Sequence, residues 1–176
     1  QSNHVTSRRQ LIMRHTGPGL LYDHIPIPWR SADIVHLGPV VHELEENLPG
    51  KFPHAGLGIT PQGWFREWDE TGLVQPRPFH EISKLCSRAD VAIISEEDVR
   101  DPDNDPEKLA EHISLLIVTR GFQGASVYTR GTVRQISAAD VVEIDPTGAG
   151  DIFAAGFFAH FFQNQDIDRA AQFATR

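Results

Sequence analysis

The chain has 176 residues, 40% of them hydrophobic and 23% charged, with a formal net charge of −8. That length supports one domain with a real core, and the acidic balance argues against a nucleic-acid backbone as partner, since neutralising its phosphates takes clustered Lys and Arg. A small phosphate held by backbone amides stays compatible with it. The single cysteine, Cys86, excludes an intramolecular disulfide and points to a reducing, cytoplasmic setting, and no apolar run reaches the length of a membrane span.

Taken in order, Arg9–His15 reads as a strand broken by Gly17-Pro18-Gly19. Ile25–Trp29, with prolines at 26 and 28, reads as extended chain outside a central sheet. Ala32–Leu37 is a compact apolar run suited to a buried parallel strand, and a helix over Val40–Asn47 is expected after it, stopped by Pro49-Gly50. Ala55–Ile59 is a second short strand. Gln62–Pro78 is irregular, and its Trp64 and Trp68 are read as anchoring a loop on the core in preference to stacking on a ligand. Phe79–Arg88 is helical, Val91–Ile94 a buried strand, Pro106–Ile113 a helix and Leu115–Thr119 another strand. Ala125–Tyr128 and Thr132–Ile136 make a hairpin around Arg130-Gly131, and Asp166–Thr175 a last helix. Strands alternating with helices predict a single α/β domain whose parallel sheet is covered on both faces.

The most informative stretch is Val141–Phe162. It predicts a short strand over Val141–Ile144, a tight turn over Asp145–Gly150 and a helix apolar on nearly every side, which belongs inside a sizeable core. Gly148, Ala149 and Gly150 are too small to block a ligand, and their backbone N–H groups, with the helix dipole behind them, form a ready anion site. Asp151 comes directly after them. A carboxylate beside an anion hole repels the anion unless it serves to take a proton from a hydroxyl that then attacks that anion. The structural alternative is a glycine-rich turn with a stabilising acid at the helix start.

Asp145-Pro146-Thr147-Gly148-Ala149-Gly150-Asp151 resembles the second signature, D-T-x-G-A-G-D, of the PfkB (ribokinase-like) carbohydrate kinases. Upstream, Thr119-Arg120-Gly121-Phe122-Gln123-Gly124-Ala125 is similar to the family's T-x-G-x-x-G-A segment, in which Thr119, Gly121 and Gly124 would lie along the nucleotide. The resemblance implies a ribokinase-like three-layer α/β/α fold, incomplete at both ends, and ATP-dependent phosphoryl transfer to a hydroxyl of a sugar or sugar-like alcohol. A nucleoside kinase of the same family, or a non-catalytic nucleotide-binding fragment with Asp151 as a mere helix-start acid, is the alternative. It further implies Asp151 as general base, Gly148, Ala149 and Gly150 as the phosphate site, and Mg2+ between the donor phosphates. Ser95 and Asp98 stand where the family has N-x-x-E, so Asp98 would reach Mg2+ through water, or else be a solvated helix-start acid. Asp145 and Thr147 would hold a monovalent cation such as K+. A homodimer is compatible with the resemblance.

Other chemistries are excluded by spacing. Asp101-Pro-Asp103-Asn-Asp105 has Pro106 where a calcium loop needs glycine, and Gly50-Lys51 is followed by Phe52 where a Walker loop needs Ser or Thr. The nine histidines show no metal-ligand spacing. The resemblance runs from about residue 32 to the end, without the family's sugar-binding acid, first signature, lid strands or adenine loop. The chain by itself is therefore expected to be inactive.

Overall fold

Two mainly apolar runs, Val91–Ser95 and Leu115–Thr119, are buried at every position but the last and form the centre of the sheet. Such continuous burial is what a parallel strand covered on both faces requires. The computed structural model describes residues 11–99, 104–140, 145 and 147–175. The strands are β1 (Ile34–Leu37), β2 (Gly56–Ile59), β3 (Arg66–Trp68), β4 (Val74–Pro76), β5 (Val91–Ser95), β6 (Leu115–Thr119), β7 (Ala125–Thr129) and β8 (Thr132–Ile136). Six of them form one sheet in the order β1-β2-β5-β6-β7-β8, parallel from β1 to β6 and antiparallel through the β7–β8 hairpin. β3 and β4 form a separate antiparallel pair.

Alternate residues of β5 and β6 feed two cores, one on each face of the sheet. Ala92, Ile94, Leu116 and Val118 join Ile82 and Cys86 of α1 (Phe79–Cys86) and Leu109 of α2 (Pro106–Ala110). Val91, Ile93, Leu115 and Ile117 join α3 (Ala149–Asn164) and α4 (Ile167–Ala174) on the other face. This is the predicted three-layer arrangement. Asp105 starts α2 by accepting a hydrogen bond from the Glu107 amide at 3.0 Å, with Pro106 in the first helical position, where no amide is missed.

α3 reaches the sheet because β2 has no side chains in its way. A Cβ on Gly58 would lie 2.7 Å from ring carbons of Phe158, and one on Gly56 would collide with the ring of Phe162. Phe157 and Phe158 are wholly buried, each burial contributing about 1.5–3 kcal/mol. The helix is not enclosed all round, as its apolar sequence suggests: Ile152 is 74% exposed at its N-terminal end, because α3 lies across one sheet face and not through the middle of a core.

Several sequence expectations are corrected. Val40–Asn47 is not helical: His42 has φ +60°, the Glu43 carbonyl and the Glu45 amide bond to the Leu20 backbone at 2.6 and 3.1 Å, and the Glu43 carboxylate accepts from the Val40 and Val41 amides at 3.0 and 2.6 Å. Instead Leu48–Lys51 forms a short 3-10 turn. Within 11–15, a lone bridge from Ile12 to Leu73 replaces the expected strand, while residues 9 and 10 lie outside the described residues. Ile25–Trp29 is not extended throughout, since Ile27–Trp29 is a 3-10 turn. The irregular stretch 62–78 contains the β3–β4 hairpin, whose strands are three residues each. Trp64 anchors it in the core at 2% exposure, as expected, while the Trp68 ring lies tilted against that of His42, with centroids 4.7 Å apart. α2 stops at Ala110, three residues short of the expected Ile113.

Candidate active site

The parallel strands end at one edge of the sheet, and the residues at and just beyond their ends line a common cleft of about 610 Å3. His36 and Gly38 come from β1 and its end, Thr60 comes directly after β2, Ser95 and Asp98 close β5, and Thr119 ends β6. Gly150 and Asp151 enter from the N-terminus of α3. In open α/β sheets the carboxyl ends of the strands are where ligands bind.

Gly148 is the N-cap of α3 and has φ +78°, a conformation that favours glycine. It supplies no side-chain cap, and the helix's own hydrogen bonding begins with Ile152 N–H donating to the Gly148 carbonyl at 3.0 Å. The amides of Ala149, Gly150 and Asp151 therefore sit before the first helical bond, as first-turn donors always do, and are open to an anion. A Cβ at Gly148 or Gly150 would meet nothing within 4 Å. No neighbouring atom explains the absence of a side chain at Gly150. Asp151 is exposed, with its charge felt at His36.

Asp145 accepts a hydrogen bond from the Thr147 amide at 2.9 Å, which closes the turn ahead of α3. That amide, and then the Thr147 hydroxyl, hold the Asp145 carboxyl below its ordinary range. The strand expected over Val141–Ile144, like Pro146 of the turn, lies outside the described residues.

Asp98 lines the cleft half-buried, and its carboxylate accepts from the Ser95 amide at 3.0 Å. Burial pushes its pKa up; the Ser95 amide and the charge of Arg66 oppose that. Of the residues in T-x-G-x-x-G-A, Thr119 reaches the cleft and donates its hydroxyl to the Ile94 carbonyl at 3.2 Å. Gly121 faces open space, whereas Gly124, at φ +89°, is wedged against the Ile136 carbonyl and the chain after β8. Gly124 thus has an architectural reason of its own. Among the described residues no group of three or more His, Cys, Asp or Glu side chains could cage a metal.

Two cleft residues escaped the sequence reading, His36 and Thr60. His36 Nε2 and Thr60 Oγ1 are 2.9 Å apart, and the imidazole meets the Phe158 ring edge-on at 4.9 Å. The signal was a histidine interrupting the apolar run Ala32–Leu37. Burial lowers the His36 pKa, and the Asp151 charge partly restores it.

The pfkB family carbohydrate kinase profile matches residues 73–176, which takes in both glycine turns and the Asp98 segment. The chain belongs to that family. This pfkB-family chain is 32% identical to a fructokinase of Escherichia coli over 141 residues, which cover 73% of the chain and 46% of the fructokinase. A nucleoside kinase of Methanocaldococcus jannaschii is 37% identical over 60 residues, 34% of the chain and 20% of that protein. The sulfate complex of a pyrophosphate-dependent kinase of the ribokinase family superposes with a TM-score of 0.77 at 18% identity, over 95% of this chain and 62% of that one. That likeness carries the ribokinase-like fold. The chain thus spans about half the length of the fructokinase and less than two thirds of the pyrophosphate-dependent kinase.

Proposed function

We propose that the protein containing these residues transfers the terminal phosphoryl group of ATP to a hydroxyl of a sugar or sugar-like alcohol. The observation that carries this reading is the pairing, in one cleft, of an uncapped helix N-terminus with a carboxylate on its first turn. Asp151 accepts the proton of the attacking hydroxyl, and the oxygen so activated forms the new P–O bond as the bond to the leaving phosphate breaks. The amides of Ala149, Gly150 and Asp151 stabilise charge on the transferring group, and Gly148 gives the turn its shape. Thr119 and Gly121 lie along the donor.

Mg2+ binds through donor phosphates and water with few protein carboxylates, so a cleft that offers the half-buried Asp98 carboxylate suits it. When bound, it neutralises charge between the phosphates. Asp98 would hold its water shell, and Asp145 and Thr147 a monovalent cation beside the turn. Because the relatives extend well beyond the matched portions, the 176 residues alone are proposed to be inactive.

The test is a matrix of donors and acceptors with the complete polypeptide: Mg·ATP or pyrophosphate against fructose, ribose, myo-inositol and cytidine. Alcohol-dependent ADP release, cut by about 10²–10⁴-fold in Asp151→Asn, is the expected result. An Asn variant that turns over like wild type would remove the base from the scheme. Turnover with pyrophosphate alone would replace the donor.

A further inference from the structure

We propose that His36 and Thr60 form the acceptor subsite of this cleft, binding a second hydroxyl of an uncharged polyol next to the one that faces Asp151. The inference rests on the kinase reading above and specifies its substrate.

The strand order fixes which side of the cleft this is. Thr119 ends β6, whereas His36 and Thr60 belong to β1 and the end of β2, at the opposite edge of the parallel strands. With the donor along the β6 side and Asp151 between, the β1–β2 wall is left for the acceptor. That wall is polar and held in place. The His36 ring rests on Phe158, which is itself 1% exposed, and its Nε2 is tied to Thr60 Oγ1 at 2.9 Å. The Thr60 amide donates to the Leu37 carbonyl at 3.0 Å, fixing the backbone from which the hydroxyl projects. A Cβ on Gly38 would come within 3.0 Å of Thr60 Oγ1, so glycine there keeps that hydroxyl open.

A threonine hydroxyl has one proton and two lone pairs, and an imidazole two ring nitrogens, so the pair keeps capacity for a ligand after its mutual bond. Charge selects the ligand class. Asp98 and Asp151 line the same cleft and no Lys or Arg does among the described lining residues. A carboxylated or phosphorylated acceptor would meet two carboxylates, of which Asp98 alone feels a cation, Arg66, from outside the lining; a neutral polyol meets only hydrogen-bonding partners. The imidazole, exposed at its edge but partly desolvated against Phe158, is biased towards its neutral form, which agrees with this.

The experiment uses the complete polypeptide with its best donor and its best acceptor among fructose, ribose, myo-inositol, cytidine and gluconate. His36→Phe keeps a flat ring against Phe158 but loses both nitrogens; Thr60→Val keeps the shape and loses the hydroxyl. Each should raise the acceptor KM about tenfold, the worth of one hydrogen bond, with donor KM and kcat within about twofold. His36→Gln, which can still bond Thr60 and a hydroxyl, should recover part of the loss. An unchanged acceptor KM in both variants overturns the subsite, as does a preference for anionic gluconate. Equal losses in donor and acceptor KM with a lowered Tm would make the pair structural and overturn it too. Wild-type protein that phosphorylates no alcohol would fail the kinase reading itself, and the subsite with it. Normal turnover with unchanged acceptor KM in the variants would fail the subsite alone.

Discussion

Gly58 of β2 lies under the ring of Phe158 in α3, so close that a Cβ at the glycine would stand 2.7 Å from three of its ring carbons. The helix carrying Asp151 is therefore seated on the sheet by the absence of a side chain. The same phenylalanine supports His36, so one contact positions both walls of the cleft.

Gly58→Ala is accordingly expected to destabilise the fold by about 1–3 kcal/mol, the usual cost of overpacking a well-filled core. The collision is with a side chain, so Phe158→Leu should recover part of the loss in the double variant. Urea unfolding of the two single variants and the double measures it. Additive losses would show that the ring is not what the new methyl group meets.

Cys86 provides a pH test. Its thiol is buried in α1 and burial pushes its pKa up to about 12 from an ordinary value of 9.0. Between those values the unfolded chain has released the thiol proton and the native state has kept it. Stability falls as pH rises through that window, by about 1.4 kcal/mol per pH unit from this group. Denaturation at pH 8 and 10, compared with Cys86→Ala, isolates the slope. The native thiol should also resist a disulfide reagent at pH 8 until denaturant is added. Prompt labelling of folded protein would contradict the burial.

Much of the architecture was legible because the decisive signals are local. Val91–Ser95 and Leu115–Thr119 are apolar at nearly every position, and Gly148-Ala149-Gly150 marks the turn that starts α3. Two of the failures come from long-range or side-chain contacts that override local preference, and one from strands too short to carry a pattern. Residues 40–47 have a helical composition, yet the Glu43 carboxylate captures two backbone amides and Leu44 bridges to Leu20. β3 and β4 are too short for a period-2 pattern to show. His36 and Thr60 are 24 residues apart, and only the parallel pairing of β1 with β2 brings them together.

Asp98 separates a structural from a functional carboxylate. Its pKa is raised in the fold, chiefly by burial, so the native state holds its proton to higher pH than the unfolded chain. Above that range the ionised group weighs against the fold. Asp98→Asn keeps an oxygen for the Ser95 amide and removes the charge. It should unfold at a higher temperature than wild type at pH 7, with the advantage gone near about pH 3, below the ordinary carboxylate pKa. In the complete protein the same variant should need several-fold more Mg2+ for half-maximal turnover. A stabilised variant with an unchanged Mg2+ requirement would assign Asp98 to the turn alone.

The sharpest test of the anion site is Gly150. Its backbone is not in the left-handed region and a Cβ there would touch nothing within 4 Å, so neither conformation nor packing calls for glycine. In an exposed helical turn, glycine costs about 1 kcal/mol relative to alanine. On the proposed anion-site reading, glycine at this position leaves room for a ligand to approach the backbone. Gly150→Val should then leave the unliganded melting temperature near that of wild type, since the contacts of Phe153, Phe157 and Phe158 are untouched. What it should lose is the rise in Tm that wild type shows with Mg·ATP, because a branched side chain obstructs the amides of the first turn. Thermal unfolding of the complete protein, with and without donor, reads both effects. A variant that melts lower but keeps its full donor-induced shift would make Gly150 architectural, and the amides before Ile152 would lose their assigned role.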